Sequence, residues 1–443
     1  MPPNKALDIA AQLTCRGYQA WLVGGCVRDL VLGREPKDYD VSTDATPGEL
    51  LRIFPKADLV GAQFGVVLVN GVEVATFRSD LAYRDGRHPE GVRFETDPRR
   101  DVLRRDFTIN ALLLPPESWR DLSQVVDHVG GLADLQAGII RAIGEPERRF
   151  EEDHLRMLRA VRFAARFGFS IEPHTLGAIR KLHASIRCIA AERVRDELIR
   201  ILTEGGARRG FELLNESMLL GDILPEVAAM QGVAQPPEFH PEGDVWTHTL
   251  LMLEGLDKSA TRPTAALAMG VLLHDVGKPG TFRIAERIRF DGHVELGETL
   301  GSAILDRLRF SNDDRAQILA LIGNHMRFAH VHKMRESTRK RFLRMPGFAE
   351  HLELHRLDCL SSFGDLSNYQ LMREQFERLE PEQLRPKPLL SGNDLIAAGY
   401  HPGPAFSKML EAVEDAQLES RISDKETALA LIEAAFGPPQ PSH

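Results

Sequence analysis

Cysteine is scarce in this chain of 443 residues: Cys15, Cys26, Cys188 and Cys359 lack the close spacings of a disulfide framework or a thiolate metal site. They read as small buried hydrophobes in a reducing compartment. Long apolar runs are also missing, so no stretch reaches the roughly 20 residues that span a bilayer. The N-terminus has no basic-then-apolar leader pattern, and the expectation is a cytoplasmic protein with no membrane partner. Positive charge is in deficit, 55 Lys and Arg against 64 Asp and Glu for a net charge of -9, which excludes a surface that grips nucleic acid everywhere. Arginines still gather at Arg99, Arg100, Arg104 and Arg105, and again at Arg156, Arg159, Arg162 and Arg166, leaving room for a basic groove. The length exceeds what one core supports, and about two to four domains are expected.

The richest stretch is WLVGGCVRDLVLGREPKDYDVSTD, from Trp21 to Asp44. It reads as strand, glycine pair, short helix, turn and second strand. Alternation along that second strand puts Asp38 and Asp40 on one face and Tyr39 and Val41 on the other. Two acids on an open face suggest a metal clamp. Gly24 and Gly25 open the helix, where a bare backbone admits phosphate oxygens and free N–H groups favour anions. Arg28, one turn in, offers a charge-assisted contact to the same phosphates, with Val27, Leu30 and Val31 as the inward stripe. Alone, a glycine pair is a turn and a DxD is a solvated strand end. Together, GGCVRD followed by KDYD resembles the signature of the class II tRNA nucleotidyltransferase and bacterial poly(A) polymerase family, of the polymerase beta superfamily.

Upstream, residues 4–16 fit a helix burying Ala6, Ile9, Ala10 and Leu13. Downstream, Thr46-Pro47 starts a helix, and VVLVNGVEVATF fits a hairpin turning at Asn70-Gly71. Glu73 on that hairpin is a candidate third carboxylate. Tyr83 to Phe94, rich in Gly, Pro and charge, reads as a loop. RRDFTINALLL, Arg104 to Leu114, reads as a capped helix start with Asp106 as the cap. It also resembles the family's second motif, which implies that Arg105 meets the triphosphate while Asp106 and Asn110 support the site. VVDHVGGLADLQAGIIRAIG reads as strand, Gly-Gly turn and closing strand, resembling the third motif.

From Phe150 the pattern turns helical. In EEDHLRMLRAVRFAARFGF, Asp153 and Arg156 are expected on one helix face, continued by Arg159 and Arg162, with Leu155, Leu158, Val161 and Ala165 buried. An Asp and an Arg side by side could read the edge of a base; they could equally form a plain helix ion pair. The resemblance assigns EDxxR to nucleotide selection, so that Asp153 and Arg156 choose CTP or ATP while Arg159 and Arg162 line the pocket. ERVRDELIRIL, Glu192 to Leu202, resembles a motif that backs the neck, with a structural role.

A second set lies in the C-terminal half: His248, the pair His274-Asp275, and Asp358. Imidazoles and carboxylates in that order suit one or two divalent ions and an acidified water. The order resembles HD-domain phosphohydrolases, which implies His293 and His325 as additional ligands and Lys278 as a phosphate contact. After RPKPLL, Pro404 opens a last helix with Phe406, Met409, Leu410 and Val413 as its buried stripe, resembling the tail that braces against tRNA.

The expected fold is α+β: a polymerase-beta-like head of mixed sheet and helices over 1–145, a helical neck over 146–235, an HD-type body over 236–384 and a helical tail over 385–443. The implied activity is template-independent addition of CCA to the tRNA 3′ end from CTP and ATP, with Mg²⁺ held by Asp38 and Asp40. Mn²⁺, Ni²⁺ or Co²⁺ would serve a phosphohydrolase at the HD site. The alternatives are addition of the final A alone, poly(A) synthesis, disfavoured by Ala62 and Gln63 where a basic pair is usual, an HD phosphohydrolase whose head recruits RNA, and a noncatalytic tRNA-binding protein.

Overall fold

The computed structural model describes residues 3–58, 64–81, 91–259 and 261–439. The expectations for Ala62, Gln63 and most of the Tyr83 to Phe94 loop lie outside these residues. The chain forms two compact units, one of residues 1–229 with 260–262 and 306–310, the other holding the remainder.

The first unit is built on a five-stranded sheet. Its strands are β1 (Ala20–Val23), β2 (Asp40–Thr43), β3 (Val66–Val69) and β4 (Val72–Thr76), while β5 (Arg78–Asp80) and β6 (Val92–Phe94) pair as a separate ribbon. With β7 (Leu113–Leu114), the order is β3-β4-β2-β1-β7; β2 and β4 run parallel and the other neighbours antiparallel. The hairpin forms at the expected place: Asn70 and Gly71 both take positive φ, 51° and 84°, matching the twist of β3 and β4. Val92 to Phe94, expected within a loop, is strand, because it completes the ribbon with Arg78–Asp80.

The helix Asn4–Thr14 buries Ala6, Ile9, Ala10 and Leu13 as the spacing requires. A Thr46–Glu49 capping box opens the helix Pro47–Ile53. In the helix Gly25–Val31 the expected stripe is corrected: Val27 is buried with Cys26, Arg28 and Asp29, whereas Leu30 and Val31 are only half buried. The helix is too short for a stripe and is enclosed around its first turn instead. The second motif is likewise one 3₁₀ turn, Thr108–Asn110, that leads into β7. The third motif opens on a single bridge at Val126 instead of the expected strand and carries a helix, Gly131–Ala137, before the strand Ile139–Ile140; Asp127 accepts from the N–H groups of Val129, Gly130, Gly131 and Leu132 and so starts that helix. A Cβ on Gly131 would stand 2.3 Å from the Thr108 carbonyl, so only glycine lets the two motifs touch.

After the head come the helices Pro146–Glu152 and Leu155–Phe167, the latter burying Leu155, Leu158, Val161 and Ala165, and then Ala191–Thr203. The second unit is helical apart from a short ribbon, Arg283–Ile284 with Ile288–Arg289. Its last helices have their own core of Leu390, Leu395, Met409, Val413, Ala428 and Ile432, against which Phe406 and Leu410 pack. No helix among the described residues is long and apolar enough to cross a membrane. All four cysteines are free; Cys26 and Cys359 are buried, but Cys15 and Cys188 are exposed, against the expectation for those two.

Candidate functional site

A cleft of about 490 Å³ in the first unit collects Gly24, Gly25, Arg28, Asp40, Arg104, Arg105, Asp106, Asn110, Asp153, Arg156, Arg159, Arg162, Phe163, Arg166 and Arg193. Every candidate site residue named for the head and neck lines it, apart from Asp38 and Glu73. Gly24 has a φ of 76°, and a Cβ there would lie 3.1 Å from Arg105 Nη1. The glycine therefore sets the turn and clears the arginine's path. Asp101 holds Arg105 by Nη2 at 3.0 Å, leaving its Nη1 on the glycine side.

Arg28 is not an open phosphate arm. It is buried, with Nε and Nη2 donating to Asp29 at 2.9 and 2.7 Å and Nη1 to Asn110 Oδ1 at 2.6 Å, and it lies over the Phe167 ring at 4.7 Å. Asn110 in turn donates to Asp106 Oδ1, and Arg159 grips Asp106 Oδ2 by two bonds of 2.8 and 2.6 Å. Burial alone would raise the Asp106 pKa, but Arg159 and Asn110 hold it well below the carboxylate range. Arg28, Asn110, Asp106 and Arg159 thus form one continuous wall. Arg162 is buried against Glu197 at 2.6 Å and stacks on Phe163.

The expected Asp153–Arg156 pair needs correction. The helix ends at Glu152 and the next starts at Leu155; Asp153 sits in the break with extended backbone, φ -147° and ψ 105°. Its carboxylate accepts from the Leu155 N–H and from Arg193 Nη2 at 3.1 Å, while Arg156 pairs with Glu152 at 2.8 Å. An aspartate beside a free helix N-terminus caps it rather than extending the helix before it. Both side chains still face the one cleft. Arg104 and Arg166 entered only as members of the two arginine gatherings and Arg193 not by name, since only packing brings its distant helix to this cleft.

Asp38 also differs from expectation in standing just before β2, which begins at Asp40. The alternation persists: Asp38 is exposed and Asp40 half buried, while Tyr39 and Val41 are buried. Asp38, Asp40 and Glu73 line a neighbouring cavity of about 390 Å³. Burial, then the charges of Glu73 and Asp38 against the opposing Arg105, push Asp40 up to about 6. Acids crowded around a half-buried carboxylate favour a cation there, and hard oxygen donors suit Mg²⁺.

The second unit brings its predicted residues together. Among the described residues, ligand atoms lie within 4.8 Å of one another in three groups: His240, Glu242 and His248; His248, His274 and Asp358; and Asp275, His293 and His325. Asp275 Oδ2 is 3.1 Å from His274 Nε2, and its Oδ1 is 3.8 Å from both His293 and His325. Asp275 thus stands between two sets of imidazoles. His248 Nε2, fully buried, lies 3.2 Å from Asp358 Oδ1 without a directed hydrogen bond, and such an orphaned buried nitrogen fits a metal ligand. Burial would raise Asp275, but His274 and Lys278 hold it well below its ordinary value, and burial pushes His325 down to about 4. Lys278 Nζ is engaged by Asp275 at 2.6 Å and Gln235 at 2.7 Å rather than free for a phosphate. His240 and Glu242 were not anticipated, although HPEGDVWTH places both within eight residues of His248.

Three family models match the chain: a poly A polymerase head domain over 20–141, a "probable RNA and SrmB-binding site of polymerase A" over 168–231 and an HD domain over 245–346. Asp358 lies beyond the last, and the fold brings it to His248 as the sequence pattern expected. The chain is similar to the CCA-adding enzyme of Lactobacillus johnsonii, 36% identical over 257 residues, which are 56% of this chain and 63% of that one. With that of Lactiplantibacillus plantarum it shares 43% over 201 residues, 44% of this chain and 48% of the other. These matches span less than two thirds of the relatives' length. Among solved structures it is similar to the Bacillus stearothermophilus CCA-adding enzyme in complex with CTP, with a TM-score of 0.72 and 26% identity over 98% of each chain. The fold also matches the Thermotoga maritima CCA-adding enzyme complexed with tRNA, with a TM-score of 0.60 at 19% identity, over 98% of this chain and 95% of that one.

Proposed function

We propose that this chain, built with a poly A polymerase head domain, the associated RNA-binding segment and an HD domain, is a tRNA nucleotidyltransferase. It adds CMP, CMP and AMP to the tRNA 3′ end from CTP and ATP. The observation that carries this reading is the single cleft in which glycine turn, arginine wall and Asp153 face one another, with Asp40 at its side. The CTP bound by the similar Bacillus stearothermophilus enzyme supports the choice of substrate.

In this reading Gly24 and Gly25 leave backbone open to the triphosphate, and Arg105 holds it. Asp153, steadied by Arg193, accepts from the base edge while Arg156 donates to it. Asp38 and Asp40 hold Mg²⁺, with Glu73 beside them. Held there, Mg²⁺ would supply charge neutralisation for the pyrophosphate and acidity for the 3′-hydroxyl. Arg105, held by Asp101, keeps the triphosphate in line, and the wall behind it fixes the cleft, since positioning is the main task the protein has in phosphoryl chemistry.

The test uses tRNA transcripts that end before the first C, after CC and after CCA, with CTP and ATP supplied singly and together. Completion of CCA and then arrest is expected. Extension of the CC transcript alone would mean an A-adding enzyme, and a long A tract would mean a poly(A) polymerase.

A second reading applies to the HD body, where Asp275 stands between two sets of imidazoles. This mixed imidazole and carboxylate set suits Mn²⁺, Ni²⁺ or Co²⁺ and the hydrolysis of a phosphate ester such as a 2′,3′-cyclic phosphate. Inactivity of the purified chain on such an ester with all three metals would remove this reading.

A further inference from the structure

The imidazoles of the HD cluster are held in two different ways. His274, His293 and His325 each meet a backbone carbonyl three residues earlier through Nδ1: Val271 at 2.9 Å, Phe290 at 2.8 Å and Ile322 at 2.7 Å. A carbonyl only accepts, so each Nδ1 carries the proton and each Nε2 presents a lone pair. These three histidines stand at helix ends, where the local backbone is free to serve. His248 does not. It lies inside the helix Val245–Asp257, whose carbonyls the helix itself uses, and Thr249 Oγ1 donates to Val245 O as well.

Its Nδ1 meets Glu242 Oε1 instead, at 2.7 Å. The His248 side chain is fully buried and Glu242 is 7% exposed, so no water competes for that bond. The same oxygen accepts from His240 Nδ1 at 2.8 Å, and the His240 ring meets the His248 ring edge-on at 5.0 Å. The opposite nitrogen, His248 Nε2, faces Asp358 and His274.

We propose that Glu242 is the positioning residue of the HD centre: its carboxylate fixes the Nδ1–H tautomer of His248 and thereby aims the Nε2 lone pair at the metal position, with His240 steadying the carboxylate. This rests on the metal-centre reading of the HD body. A carboxylate behind a ligating imidazole also makes the ring more basic, and loss of such a partner weakens metal binding by about 10- to 100-fold.

The test measures Mn²⁺ binding to the full-length chain by calorimetry in an Asp38→Asn/Asp40→Asn background, so that only the C-terminal ions are counted. Glu242→Ala is expected to weaken binding about 10- to 100-fold, and Glu242→Gln, which keeps an acceptor oxygen, far less. In the chain with both aspartates intact, Glu242→Ala should add nucleotides at the unmodified rate, which controls for folding. Unchanged Mn²⁺ affinity in Glu242→Ala while His274→Ala abolishes binding would overturn the proposal alone. Absence of Mn²⁺ binding in the background chain, or binding that His274→Ala leaves intact, would overturn it together with the metal-centre reading.

Discussion

Arg159 closes on Asp106 across 53 positions of sequence, with Nε and Nη2 both bonded to the one oxygen Oδ2. This pair ties the neck helix to the second motif of the head. The Asp106 side chain is 9% exposed and Arg159 32%. Removing the arginine strands a buried carboxylate, which in full burial costs about 3–5 kcal/mol; partial exposure of Arg159 brings the expectation to about 2–3 kcal/mol for Arg159→Ala. Urea denaturation of the two chains measures it.

The same pair sets an acid response. A carboxyl held below its unfolded pKa contributes stability that is fully present above the ordinary value of about 4 and is lost as pH falls beneath it. The unmodified chain should therefore lose more stability between pH 6 and pH 3 than Asp106→Asn, in urea midpoints taken at each pH. Parallel profiles would contradict the assignment.

Substitution of Asp38 or Asp40 by Ala should lower nucleotide addition at least about 10³-fold while tRNA affinity, read by gel shift, stays within about twofold, because these acids act on the reaction and not on the RNA surface. Substantial turnover in Asp40→Ala would sink the metal assignment.

Gly24→Ala places a Cβ at positive φ and against Arg105 Nη1. Backbone strain of about 1–3 kcal/mol and a displaced guanidinium are expected. Steady-state kinetics should show KM for CTP rising several-fold, more than in Gly48→Ala, whose Cβ meets nothing within 4 Å.

Because Arg193 anchors Asp153, Arg193→Ala should degrade discrimination between CTP and ATP on CC-ended tRNA in the same direction as Asp153→Ala, though less. Misincorporation of C at the last position is the readout. Wild-type fidelity in Arg193→Ala would reduce that ion pair to a packing role.

Short-range chemistry was legible in the linear chain. The Asn70-Gly71 hairpin, the buried face of Asn4–Thr14 and the helix start at Thr46-Pro47 all depend on neighbours within a few residues. Local propensity misled where two local demands compete. Asp153 was placed on a helix face by spacing, yet its carboxylate caps the following helix and breaks the run.

The amino-acid order by itself marked the candidate groups: the glycine pair, the two acids, the arginine row and the His-Asp pair, since functional group and spacing are properties of the linear chain. Tertiary structure alone decided how they are used. Arg28 turned inward because Asp29, Asn110 and Phe167 enclose it, and a guanidinium surrounded by partners is no longer free to reach a phosphate. Arg193 joined Asp153 from another helix, Asp358 reached His248 from 110 residues away, and Glu242 came behind that histidine because a helix interior leaves its Nδ1 no carbonyl. Those partnerships follow from packing and desolvation, which depend on what the whole chain buries.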